Sequence, residues 1–274
     1  MIIKALTENT SVSEEYGSEH GLSLYIETKK HRILFDMGKS DLFLENAKKM
    51  GVNIADVDVA VISHGHSDHG GGLEAFLNEN SKAGIYVHNR AFEGHYSMRT
   101  NRTTADIGLD VSLMGNEQIV LTGDYLRIDD ELELFSSIKG RELISLSNKV
   151  LLVENGDRLA EDSFAHEQNL IITEDGKIVL LGGCAHNGIV NIVKHLIEMK
   201  GRAADYVIGG FHLYNPATSK SESPALIGKI AKSLTDTASF YYTCHCTGLT
   251  AFAQLKEIMK DKIQYLATGN VLEI

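Results

Sequence analysis

The chain has 274 residues, 37 of them Asp or Glu and 26 Lys or Arg, for a formal charge of −11. That balance excludes a general polyanion binder, because nucleic-acid affinity comes mainly from cationic side chains neutralising phosphates. At 43% hydrophobic and 23% charged residues the composition is that of a folded chain, long enough to bury most of its surface without disulfides.

Leu22, Leu24 and Ile26 alternate with Ser23, Tyr25 and Glu27, which predicts a half-buried strand. Residues 32–35 predict a second strand, ending on Asp36. Ser40 reads as the cap of a helix with Phe43, Ala47 and Met50 on one face, stopped by Gly51. Residues 57–62 form an apolar strand, 73–77 a short helix and 85–87 another strand. Residues 89–147 read as an insertion, with a hairpin around Asp129-Asp130. Regular pattern returns as strands over 150–153, 170–173 and 178–181, then a helix carrying Ile189, Val193 and Leu196 before Gly201. A strand over 206–208, a helix over 222–234 with Pro224 in its first turn, and a strand over 240–243 follow. Leu249, Phe252 and Met259 mark a last helix before a strand over 263–267. No linker or repeat interrupts the chain, so residues 1–274 read as a single α/β domain of layered sheets covered by helices. The opening residues lack a signal-peptide pattern, no apolar run approaches the ~20 residues of a membrane span, and three cysteines are too few for a disulfide framework. The expected setting is the cytoplasm, with no membrane and no nucleic-acid partner.

Twelve histidines carry the chemistry. The densest group, His64-Gly65-His66-Ser67-Asp68-His69, directly follows an apolar strand. Residues i and i+2 of an extended chain point the same way, so His64 and His66 converge, while Asp68 and His69 address a neighbouring point after the chain turns. That suits two metals held close together. Three more apolar strands run into Cys184-Ala185-His186, Gly210-Phe211-His212 and Cys244-His245-Cys246. Ligands of helix-flanked sheets bind at the carboxyl ends of strands, so these histidines aim at one edge. His20, His31, His95 and His195 read as ordinary surface or core residues, and His88 as structural. Cys244-His245-Cys246 has no second cysteine pair with which to build a structural zinc site, and neither Gly-Gly pair has dinucleotide-loop spacing.

These residues resemble the metallo-β-lactamase superfamily: H-x-H-x-D-H stands as His64, His66, Asp68 and His69, the earlier strand-end aspartate as Asp36 and the final histidine as His245. The stretches around Cys184-Ala185-His186-Asn187-Gly188, Gly209-Gly210-Phe211-His212 and His245-Cys246-Thr247-Gly248 are similar to one branch. That branch takes its name from a dihydropterin–ribosylaminobenzene phosphate synthase and also contains metal-dependent hydrolases. The resemblance implies an αββα sandwich of two mixed sheets with a metal site at the sheet edge. It implies two divalent ions, zinc with Fe²⁺ or Mn²⁺ as alternatives, one on His64, His66 and His186 and one on Asp68, His69 and His245. His166 is the alternative to His186. Cys184 stands where most members place a bridging aspartate, which leaves a thiolate, a water or hydroxide, or nothing in the bridge.

The expected function is hydrolysis of a small anionic, phosphate-bearing ester by a metal-bound hydroxide, with Asp68 and His212 as catalytic residues. Asp36 orients a ligand imidazole. Arg99, Arg102 and Glu167 are the substrate-binding candidates, the arginines because Arg90, Arg99 and Arg102 outnumber Glu93 in a local basic stretch. The alternative is a transferase joining a dihydropterin pyrophosphate to a ribosyl-aminobenzene phosphate. A non-catalytic metal sensor and a processing nuclease are weaker readings.

Overall fold

The computed structural model describes all 274 residues. Strands buried on both faces are uniformly apolar, and their alternate side chains enter different cores. In Arg32–Phe35, Ile33 and Phe35 point into one core and Leu34 into another. In Val59–Ile62, Val59 and Val61 join the first core, Ala60 and Ile62 the second. Lys177–Leu181 does the same, sending Val179 and Leu181 inward, Ile178 and Leu180 outward. The shared inward core lies between two seven-stranded sheets, and each outward core lies under helices. This is the expected helix–sheet–sheet–helix sandwich.

The first sheet runs in the order Val271–Glu273, Ile2–Thr7, Ser23–Glu27, Arg32–Phe35, Val59–Ile62, Gly84–His88, Ile119–Thr122, with the last four parallel. The second runs Ile263–Tyr265, Phe240–Thr243, Tyr206–Gly209, Lys177–Leu181, Asn169–Glu174, Leu132–Phe135, Tyr125–Arg127, with the first four parallel. Helices Leu42–Lys49 and Leu73–Glu79 cover the first sheet. Ile189–Lys200, Pro224–Thr235 and Leu249–Met259 cover the second. Ser223 caps Pro224–Thr235 by accepting from Leu226 N, with Pro224 in the first turn, where its missing N–H costs nothing. The cap of Leu42–Lys49 is Asp41 rather than Ser40; Ser40 Oγ still accepts from Leu42 N, but its own hydroxyl donates to Glu19.

The expected insertion over 89–147 divides. Ile119–Thr122 extends the first sheet, and the hairpin Tyr125–Arg127/Leu132–Phe135 is an edge of the second. What stands apart is a four-stranded sheet from His95–Met98, Thr104–Asp106, Leu151–Asn155 and Arg158–Glu161. No helix is long and apolar enough to cross a membrane.

Candidate metal centre and its cavity

Four of the turns that follow strands at the centre hold a non-glycine residue in a backbone conformation that side chains disfavour. Asp36, Ala185, His212 and His245 have φ of 60°, 54°, 48° and 47°. Non-glycine residues rarely adopt that region, and such residues collect at functional sites. The bend turns each chain abruptly off its strand and brings its side chain to one edge of the sandwich.

Two of the four donor groups there join expected ligands: His64, Cys184 and His186 each offer an atom within 4.8 Å of the others, as do Asp68, His69, Cys184 and His245, while His66 is grouped with His95, Asp162 and His166. His64 Nε2 faces His66 Nδ1 at 3.1 Å, and His69 Nε2 faces Cys184 Sγ at 3.1 Å. Asp68 Oδ2 lies 3.4 Å from His245 Nε2 and 3.8 Å from His69 Nε2. Cys184 therefore sits between the groups.

Oxygen acceptors behind the rings decide which nitrogen faces inward. His69 Nδ1 lies 2.6 Å from Asp36 Oδ2, as the sequence reading expects of Asp36. His64 Nδ1 lies 2.9 Å from Ser63 Oγ, whose hydroxyl donates to the same carboxylate. His186 Nδ1 meets Asn148 Oδ1 at 3.1 Å, and His245 Nδ1 meets Asn9 Oδ1 at 2.7 Å. Each Nδ1 is turned to its oxygen partner, so Nε2 is the nitrogen each ring presents to the centre. His186 Nε2 and His245 Nε2 are buried with no hydrogen-bond partner, as donors awaiting a cation would be.

The electrostatics follow from burial. Desolvation, with the neighbouring imidazoles, holds His64, His66 and His186 well below the ordinary histidine value. His69 goes the other way, to about 9: burial lowers it, but Asp36 and Asp68 outweigh burial. Asp68 is held low because His69, His20 and His245 outweigh its own desolvation.

His166 is not in this centre. Its Nε2 lies 3.0 Å from Asp162 Oδ2 and its Nδ1 accepts from Gly65 N at 2.9 Å, so both nitrogens are committed. Asp162 Oδ2 also meets His95 Nδ1 at 3.1 Å. The trio braces the loop between His64 and His66 from behind, and Gly65 allows it, since a Cβ there would lie 2.6 Å from His95 Nε2.

A cavity of about 210 Å³ opens on the centre, lined among others by Lys39, His66, Asp68, Arg99, Cys184, His186, His212 and Tyr214. His212 is 8% exposed, its ring lies 4.2 Å from that of His186, and neither ring nitrogen has a partner. Two substrate candidates are corrected. Arg102 stands at the turn between His95–Met98 and Thr104–Asp106 and does not line the cavity, since that hairpin turns only Arg99 inward. Glu167 is buried behind His186, accepting from the backbone N–H of His186 and Asn187, so it cannot reach a substrate. Arg90 is paired with Glu93.

Two cavity residues escape sequence reasoning. His20, read as ordinary, lines the cavity and puts Nε2 3.3 Å from Asp68 Oδ2. Lys39 follows Gly38 in the turn after the strand Arg32–Phe35. Both lie in irregular chain, where periodicity says nothing about direction.

The Metallo-beta-lactamase superfamily profile matches residues 16–134. The 7,8-dihydropterin-6-methyl-4-(β-D-ribofuranosyl)-aminobenzene-5′-phosphate synthase of Methanocaldococcus jannaschii is 30% identical over 94% of this chain and 91% of its own length. The crystal structure of Tm1679, a metal-dependent hydrolase of the β-lactamase superfamily, matches with a TM-score of 0.84 at 30% identity, covering 100% of this chain and 99% of that one. Zn²⁺-bound PqqB from Methylobacterium extorquens shares the fold across 100% of both chains, with a TM-score of 0.59 at 14% identity.

Proposed function

This chain belongs to the metallo-β-lactamase superfamily, and on that premise we propose a metal-dependent hydrolase that holds two divalent ions of the zinc class and acts on a small, phosphate-bearing ester. The observation that carries the reading is the convergence of inward-facing, unpartnered imidazole nitrogens on a cavity that holds Lys39 and Arg99 and a single carboxylate, Asp68. His64, His66 and His186 would hold one ion, Asp68, His69 and His245 the other, with Cys184 between them. Such ions, when bound, act as Lewis acids and lower the pKa of water toward ~7.

The chain's own residues do the rest. Asp36, Ser63, Asn148 and Asn9 keep the Nδ1 protons in place and the Nε2 lone pairs directed inward. Arg99 and Lys39 bind and orient the anionic group. His212, with neither nitrogen engaged, holds a proton for the leaving oxygen. The three free thiols suit a reducing cytoplasm.

The test is hydrolysis by the chelator-treated chain reloaded with Zn²⁺, Fe²⁺ or Mn²⁺, across phosphodiesters, phosphomonoesters and lactones. Activity is expected to return with metal. A fully loaded enzyme inert on the whole panel overturns the reading. The full-length identity to the synthase supports a second reading, C–N bond formation with pyrophosphate as leaving group. Pyrophosphate released from a dihydropterin pyrophosphate only when the ribosyl-aminobenzene phosphate is present would select it.

A further inference from the structure

Lys177–Leu181, Tyr206–Gly209 and Phe240–Thr243 are neighbouring parallel strands, and the loops after them carry Cys184, His212 and Cys246. Their donor atoms lie within 4.8 Å of one another, and all three residues are buried and line the cavity. Cys246 and His212 are not among the ligands assigned to the two-ion centre.

The backbone around them is already set. Phe211 N donates to Thr247 Oγ1 at 2.9 Å, His212 N to Cys246 Sγ at 3.2 Å, and Leu213 N to Cys246 O at 3.0 Å. These bonds tie the His212 loop to the Cys246 loop and leave the His212 ring free, both nitrogens unpartnered although the residue is only 8% exposed. An N–H aimed at sulfur favours a thiolate there, as hydrogen bonds to a ligand commonly do. Gly210 makes the space: a Cβ on it would lie 2.4 Å from Cys246 Sγ. A tetrahedral ion with bonds of ~2.3 Å to sulfur and ~2.0 Å to nitrogen spaces such donors ~3.5–3.8 Å apart. The three atoms, all within 4.8 Å of one another, exceed that spacing by no more than about an ångström.

We propose that Cys184, Cys246 and His212 form an additional site for a thiophilic cation of the Zn²⁺ or Cu⁺ class, joined to the two-ion centre through Cys184 and open to the cavity at its fourth position; an ion there occupies the His212 ring in place of its proton, so the filled site blocks turnover. Two sulfurs and an imidazole select a softer cation than the imidazole and carboxylate set beside them. Binding exchanges the thiol protons, released to solvent, for metal–sulfur bonds. The proposal rests on the two-ion reading only through the shared Cys184.

The test titrates Cd²⁺ into the chelator-treated full chain, following thiolate-to-cadmium absorbance and bound ions per chain. The wild-type chain is expected to bind one ion more than Cys246→Ser, with the thiolate band falling by about half in that variant because one of the two sulfurs is gone. His212→Gln is expected to lose the same ion while keeping the Cys184 contribution, and it serves where Cys246→Ser does not fold. Equal ion counts in the wild type and both variants overturn the proposal. So does loss of every ion in a folded Cys246→Ser chain, which would make Cys246 a support of the two-ion centre. Asp68→Asn separates the two claims: if it loses no ion, the two-ion reading fails, while an ion lost with Cys246 stands independently.

Discussion

At the residue scale the centre depends on where single protons sit. Asp36 accepts from His69 and, through Ser63, orders His64, so one buried carboxylate sets two ligand rings. Asp36→Asn is expected to weaken metal binding about 10–100-fold, the usual cost of removing such a partner, measured by chelator competition. Asp162 acts at one remove, holding His166 so that its Nδ1 receives the Gly65 N–H. His212→Ala is expected to keep its two assigned ions and lose turnover about 10²–10⁴-fold, the range of a lost general acid. Loss of those two ions would instead make it a ligand of the centre. The metal-free chain carries a pH signature. His64, His66 and His186 are depressed below the ordinary 6.5, so stability is lost as pH falls below that value and the unfolded chain takes up protons. His69 is raised to about 9, so its contribution is complete below 6.5 and lost as pH rises through 9. Urea midpoints of the chelator-treated chain should therefore peak near pH 6.5. A profile that rises steadily from 6.5 to 9 would contradict the His69 assignment.

At the element scale, what the sequence reveals depends on regularity. The strand Phe240–Thr243 and the helix Ile189–Lys200 before Gly201 are legible because their apolar periods are clean. The cluster His64 to His69 is legible because it abuts such a strand. Residues 119–135 look like insertion because two of their three strands, Ile119–Thr122 and Tyr125–Arg127, are short sheet edges, with Val120, Leu121 and Tyr125 facing solvent. His20 and Lys39 were not readable as cavity residues because loops carry no period. The left-handed turns at Asp36, Ala185, His212 and His245 leave no composition signal either, since none is glycine. Where two strand ends cross, glycine is required: Gly209 has φ 147°, and a Cβ on it would lie 2.1 Å from Gly182 O. Gly209→Ala has only backbone to push against, so it should cost about 2–4 kcal/mol in denaturant unfolding and misplace His212. An unchanged midpoint would mean that the two strand ends have room to part.

At the scale of the whole molecule the centre spans two similar halves. His64, His66, Asp68 and His69 follow a strand of the first sheet; Cys184, His186 and His245 follow strands of the second. Ions held by both sets would tie the sheets together at the one edge where their shared apolar core gives way to polar side chains. Binding that exists only in the folded chain adds RT ln(1 + [L]/Kd), ~4 kcal/mol for an ion at a thousand times its Kd. At ~2–4 °C per kcal/mol for a chain of roughly this size, chelation should lower Tm by on the order of 10 °C. Ions shared between the sheets demand more than the shift itself. If each ion is shared, then His64→Ala on the first sheet and His186→Ala on the second should abolish the same metal-dependent part of Tm, although their contacts in the metal-free chain differ. If either variant keeps that full increment, the ions are held by one half alone, and the sandwich owes its closure at this edge to packing.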